Sequence, residues 1–198
     1  MKKFLLISTS LYCLSPMAWA APADWSDLFK SWEKGCDTSP ALSAFTESMG
    51  AVKTKANGQL TNGQFYLVEN YLVANIKLPA QYRNQAAQKA SVHKRWDERQ
   101  KYTFNQIRLS LKGHYYGLPV VDYSQTFIAD DTAGSEYTHR LLLDVPIEQA
   151  QRVLAGKYRP RKHFNLALEE DETLQAELLD VDNNGKSQTI VECRYIFG

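Results

Sequence analysis

The sequence predicts an α+β domain: mostly antiparallel sheet, helices at the N-terminus, one more helix near residues 146–155, and a single disulfide. Three observations lead there. Apolar residues recur at helical spacing before residue 50 and again after Pro146. Between and after these stretches they alternate at period two, as in half-buried strands. Finally, Cys36 and Cys193 stand near the two ends of a chain that opens with an export signal.

Residues 1–20 read as a cleavable signal peptide. Met1-Lys2-Lys3 is a positive start, Phe4 to Met17 is largely apolar, and Ala18-Trp19-Ala20 offers small residues at the two positions a signal peptidase reads. The apolar stretch falls short of the roughly 20 residues needed to span a bilayer. Cys13 follows Tyr12, not the small residue a lipidation site requires. Cleavage leaves 21–198 as a single globular domain with two cysteines, and in an oxidising compartment an even pair is expected to form a bridge. A bacterial periplasm is the expected destination.

Along this domain, Trp25, Leu28, Phe29 and Trp32 make one helical stripe, stopped by Gly35. Ser39-Pro40 supplies an N-cap and first helical residue for a second stripe of Leu42, Phe45 and Met49. Asn62-Gly63 marks a turn, Phe65 to Leu78 is rich in Tyr, Val, Leu and Ile, and its Leu72, Ala74, Ile76 and Leu78 alternate as in a half-buried strand. Gln81 to Arg99 is polar and charged, expected as a solvated helix or a connector. Lys101 to Lys112 alternates with Ile107, Leu109 and Leu111 on one face. Tyr115 to Ile128 is β-rich around Gly117 and Pro119, Asp130 to Ser135 is a loop, and Thr138 to Val145 is a strand. Pro146 opens a helix carrying Ile147, Ala150, Val153 and Leu154, with Gly156 after it. His163 to Leu168, Thr173 to Val181 and Gln188 to Phe197 complete the strands, the last two joined by Asn184-Gly185, a type I′ hairpin signal.

The chain has 23 basic and 22 acidic side chains, and loss of Lys2 and Lys3 leaves a net charge of about −1. Such a balance argues against nucleic acid as the main partner. Asp180 to Gly185 matches the opening of a calcium loop, but the position for its bidentate glutamate holds Val191, and the flanks alternate like strands, so a plain turn is expected. His93, His114, His139 and His163 lack the spacing of a helical zinc site. There is no Gly-x-Ser-x-Gly elbow and no phosphate-binding glycine loop. No metal, cofactor or catalytic residue is therefore assigned.

The segments that invite a binding role are His114, Tyr115 and Tyr116 beside Gly117 and Pro119, the acidic pair Asp130 and Asp131, and Arg159 and Arg161 in a basic run. The expectation is a non-catalytic periplasmic protein that binds another protein, such as an inhibitor or immunity protein against a toxin or a cell-wall hydrolase. The alternatives are a small hydrolase with a site assembled only by folding, and an envelope assembly or adhesion subunit.

Overall fold

The two N-terminal apolar stripes drive one helical layer onto a sheet. The computed structural model describes residues 22–50, 72–73, 75–97, 102–130, 134–159, 161–165 and 170–197. The signal region, the Asn62-Gly63 turn, the first half of the Phe65–Leu78 stretch and Asp131 lie outside them. Trp25, Leu28, Phe29 and Trp32 are all buried, on a helix α1 (Ser26–Phe29) that tightens into a 3₁₀ turn at Lys30–Glu33. Helix α2 (Pro40–Gly50) starts where expected: the Ser39 hydroxyl accepts the Leu42 N–H at 3.2 Å, and Leu42, Phe45 and Met49 point into the core.

Seven strands form an antiparallel sheet in the order β1-β2-β3-β5-β6-β10-β9. They are β1 (Leu72–Val73), β2 (Ala90–Asp97), β3 (Tyr102–Ser110), β5 (Leu118–Asp130), β6 (Gly134–Leu143), β9 (Glu177–Asn183) and β10 (Lys186–Phe197). The short β4 (His114–Tyr115) pairs with β5 outside this path. Helix α3 (Ile147–Leu154) buries Ala150 and Leu154 beside β9 and β10, while β7 (Arg161–Asn165) and β8 (Glu170–Leu174) pair as a separate ribbon.

The α+β class holds, with mostly antiparallel sheet and the expected helices. Several boundaries differ from expectation. Part of the polar stretch 81–99 is strand β2, because seven consecutive pairings with β3, from Ser91↔Arg108 to Asp97↔Tyr102, override weak intrinsic β preference. Among the described residues of the stretch before Leu78, Leu72–Val73 is strand, and Asn75 takes a φ of 65° that no strand admits. Strand pairing runs on to Asp130↔Gly134, shortening the loop expected there. The run Thr173–Val181 divides into the end of β8 and most of β9. Asn184 and Gly185 have φ of 56° and 83°, the two positive values a type I′ hairpin requires.

The Cys36–Cys193 bridge ties the loop after α1 to β10, with Cα atoms 5.6 Å apart and the two cysteines 157 positions apart in the chain. In the chain-entropy model a loop of that length stabilises the fold by up to about 5 kcal/mol. Gly113 is the other fixed point: a Cβ there would lie 2.2 Å from the Ala23 carbonyl oxygen, so only glycine lets the N-terminal segment dock. Among the described residues no helix is long and apolar enough to cross a membrane.

Candidate functional site

Strand alternation gives the sheet two faces, and they are built differently. One face carries Ile107, Leu109, Tyr123, Gln125, His139, Leu141 and Val191 toward the helical layer. Its polar groups close on one another. The Tyr123 hydroxyl meets His139 Nδ1, and Gln125 Nε2 donates to the Thr46 carbonyl at 2.8 Å and to the Tyr123 hydroxyl at 3.1 Å. The Tyr137 hydroxyl donates to Gln125 Oε1 at 2.5 Å, and the Tyr195 hydroxyl donates to the Cys36 carbonyl. Burial pulls the His139 imidazole down to about 3, so it is neutral. Burial first, then the neighbouring Tyr137, raises the Tyr123 phenol well above its ordinary value. These groups fasten α2 and the cystine loop to the sheet.

The opposite face is polar, yet much of it is withdrawn from water. Its residues stand in registered rows. Gln106, Thr126, Thr138 and Arg194 are successive cross-strand partners, and so are Arg108, Ser124, Arg140 and Glu192. A third row runs Asp122, Leu142 and Ile190. A one-residue shift between Val120 and Asp122 bends β5 at the edge of this surface and sets Asp122 beside Leu142. Glu192 is only 1% exposed and Asp122 5%, and each is held by guanidinium groups. Arg140 Nε donates to Glu192 Oε2 at 2.5 Å, Arg194 donates to Glu192 Oε1 at 2.9 Å, and Arg108 donates to Asp122.

Between these pairs lies a cleft of about 310 Å³, floored by Gln106, Arg108, Ser124 and Arg140 and rimmed by Val181, Asp182 and Asn183 of the β9–β10 hairpin. The rim is stiffened by Asp144, which accepts from Lys186 Nζ and from Gln188 Nε2 at 2.8 Å; these bonds hold its carboxyl below the usual carboxylate range. Three buried side-chain oxygens among the described residues have no partner, and two belong to this face: Gln106 Oε1 and Thr126 Oγ1. The third is Ser31 Oγ in the helical layer.

Chemically, this set offers guanidinium donors beside carboxylates that are already paired. Asp122 and Glu192 spend oxygens on guanidinium groups. Ser124 has arginines as its registered neighbours on both sides, and an arginine cannot take a proton from it. Among the described residues no group of three or more histidine, cysteine or acidic side chains is placed to hold a metal ion.

The chain matches no protein-family model, no curated protein and no solved structure.

The residues singled out from sequence are not brought to one surface. Tyr115 is fully buried, its hydroxyl 2.7 Å from that of Tyr158. Burial pushes both phenols above their ordinary value. Tyr116 turns back onto the helical layer: its N–H donates to Ser26 Oγ at 2.7 Å, its hydroxyl to Glu33, and Lys157 Nζ sits 3.8 Å from its ring centre. His114 uses its backbone to hold Ala23 and Trp25, both at 2.8 Å, and the Arg159 N–H donates to the Glu33 carbonyl at 2.7 Å. Those four residues gather at one end of the helical layer. Asp130 is at the far end of the 13-residue β5, and Arg161 opens β7. The sequence reading missed Arg108, Asp122, Arg140, Glu192 and Arg194. Alternation marks them as the second face of their strands, but it does not tell a face open to water from one that is half-buried and ion-paired.

Proposed function

We propose that this protein acts without catalysis as an exported binding protein whose second sheet face seats on another protein. The concrete form is an inhibitor or immunity protein that neutralises a toxin or a cell-wall hydrolase in the periplasm. One observation carries the reading. A sheet with one face covered by helices carries on its other face buried ion pairs, a cleft and two unpartnered oxygens. Burying Asp122 and Glu192 with arginines is costly against an apolar equivalent, so such pairs stabilise little by themselves. Across an interface they set orientation and partner choice. The cystine and the closed aromatic network hold the sheet rigid, which lowers the entropy cost of docking. The hydrolase alternative finds no base registered beside Ser124 among the described residues, only Arg108 and Arg140. Strand addition, which the adhesion alternative needs, would meet Glu177, Asp180 and Asp182 on the outermost strand β9, charges that discourage pairing.

The test is affinity capture from an envelope extract with the mature, disulfide-bonded protein as bait, read by mass spectrometry. One protein recovered reproducibly, and competed by untagged mature protein, is the expected result. No such protein under conditions that retain weak complexes overturns the reading.

A further inference from the structure

The cleft of the second face is lined by charges of both signs. Arg108 and Arg140 stand in direct register with Ser124 between them, across β3, β5 and β6. Neighbouring strands lie about 4.8 Å apart, so the two arginine backbones are about 10 Å from each other. Asp122 lies one row away and Asp182 on the rim, so two arginines face two aspartates and neither sign is in excess. Each of these groups keeps bonding capacity. Arg108 donates through one nitrogen to Asp122 and Arg140 through Nε to Glu192. Among the described residues neither has another acceptor, and their side chains are 37% and 29% exposed. Asp122 accepts on Oδ2, and Asp182 accepts the Gly185 N–H on Oδ1, which leaves the second oxygen of each open. The Ser124 hydroxyl has no partner among the described residues and, unlike Gln106 Oε1, is not sealed from solvent. Leu142 and Ile190, registered partners across β6 and β10, add an apolar wall.

We infer that this cleft binds a sugar: an uncharged ring whose hydroxyls bridge the guanidiniums and the carboxylates, and whose C–H face rests on Leu142 and Ile190. A guanidinium only donates and a carboxylate only accepts, whereas a hydroxyl does both. An anion would meet two carboxylates and a cation two guanidiniums, so the balanced cleft penalises a net charge of either sign. A peptide group presents one N–H and one carbonyl, pointing apart. A sugar ring presents a hydroxyl at most of its positions, which matches donors and acceptors set on both sides of Ser124. The cleft volume, about 310 Å³, lies at the lower end of the roughly 300–1,000 Å³ range of ligand sites and suits one or two rings. The inference goes beyond the protein-binding reading, because it gives one part of that face a ligand of its own, either a free sugar or a unit of a glycan chain.

The test is an amide chemical-shift titration of the ¹⁵N-labelled, mature, disulfide-bonded protein. The neutral probes are the methyl glycosides of glucose, galactose, mannose and N-acetylglucosamine, with the trimer of N-acetylglucosamine as a glycan chain. The charged probes are the methyl glycosides of glucuronic acid and glucosamine, and the peptide probe is glutamine blocked as the N-acetyl N′-methylamide. Saturable shifts at Arg108, Ser124, Arg140 and Ile190 are expected with at least one neutral sugar, and several-fold weaker binding with both charged ones and with blocked glutamine. Tighter binding of the trimer than of its monomer marks a glycan chain as the source, and equal binding marks a single sugar. Asp182→Asn, an exposed change that keeps the bond to Gly185, should weaken the neutral sugar about tenfold, the loss of one hydrogen bond to a charged group. It should also turn the preference toward the glucuronide. Ser124→Ala should weaken the neutral sugar several-fold, and Arg152→Gln on α3 should change nothing. No saturable shift in the cleft with any neutral sugar, a charged sugar bound as tightly as its neutral counterpart, or blocked glutamine bound as tightly as the sugars would each overturn the inference. The two readings can fail separately. If a sugar binds here but no protein is captured, the inhibitor reading falls alone. If a protein is captured and no neutral sugar shifts the cleft, the sugar inference falls and the inhibitor reading stands.

Discussion

The two faces of one sheet treat polar groups in opposite ways. Under the helices, Tyr123, Gln125, Tyr137 and His139 bond to one another and to the backbone of α2. On the other face, Arg108 and Arg140 hold donors in reserve and Gln106 and Thr126 hold unpartnered oxygens. Burying a polar group without a partner costs about 1–3 kcal/mol. Apart from Ser31 Oγ in the helical layer, the unpartnered side-chain oxygens among the described residues lie on the second face, as the proposed binding role requires. On the proposed reading, the helix-side network serves stability and the open one recognition.

The largest effect that probes this contrast is on the helix side. Reduction, or replacing both Cys36 and Cys193 with serine, should cost about 2–5 kcal/mol of unfolding free energy, measured by urea titration with and without reductant. An unchanged midpoint would mean the helical layer needs no tie to β10. Glu192→Ala comes next. It strips both Arg140 and Arg194 of their buried acceptor and should cost about 3 kcal/mol. Replacing Arg140 and Glu192 together by methionine and leucine should be far less harmful, because the pair's net contribution to stability is small. If the double variant is as unstable as the single one, the ion pair is structural and the contrast between the faces weakens.

A graded effect, spread over several pH units, separates the faces by pH. His139 is neutral in the folded protein down to about pH 3, whereas in the unfolded chain it takes a proton near pH 6.5. Stability from this burial is therefore complete above about pH 6.5 and is lost as the pH falls toward 3. The slope is up to about 1.4 kcal/mol per pH unit. His139→Gln should flatten the dependence in that window, seen as urea midpoints that no longer fall with acidity. At alkaline pH the sign reverses. Burial raises the Tyr115, Tyr123 and Tyr158 phenols, so stability should fall above pH 10, and ultraviolet titration should find tyrosines that ionise only on unfolding.

Much of the helix-side construction was legible in the sequence. Trp25, Leu28, Phe29 and Trp32 announce their stripe, Ser39-Pro40 announces its cap, Asn184-Gly185 announces its hairpin, and Cys36 and Cys193 announce their bridge. Each rests on a local rule or on a compartment argument. Strand β2 was not legible, because its identity comes from pairing with β3 and not from its own composition. The open-face site was not legible either. Arg108 and Asp122 are 14 residues apart, Arg140 and Glu192 are 52 apart, and only sheet register brings them together. Tyr115 and Tyr116 look alike in a string of residues. The turn at Tyr116, with φ of 49°, sends one ring into the core and the other onto Glu33 and Lys157.

The unpartnered oxygens give the sharpest measurement. Gln106→Met and Thr126→Val, made together, keep the volume and delete both orphaned groups. If those groups exist for a partner, the double variant should unfold at equal or higher urea, by up to about 1 kcal/mol, and bind the captured protein at least tenfold more weakly. A variant that loses stability while binding its partner as tightly as the wild type would contradict the account.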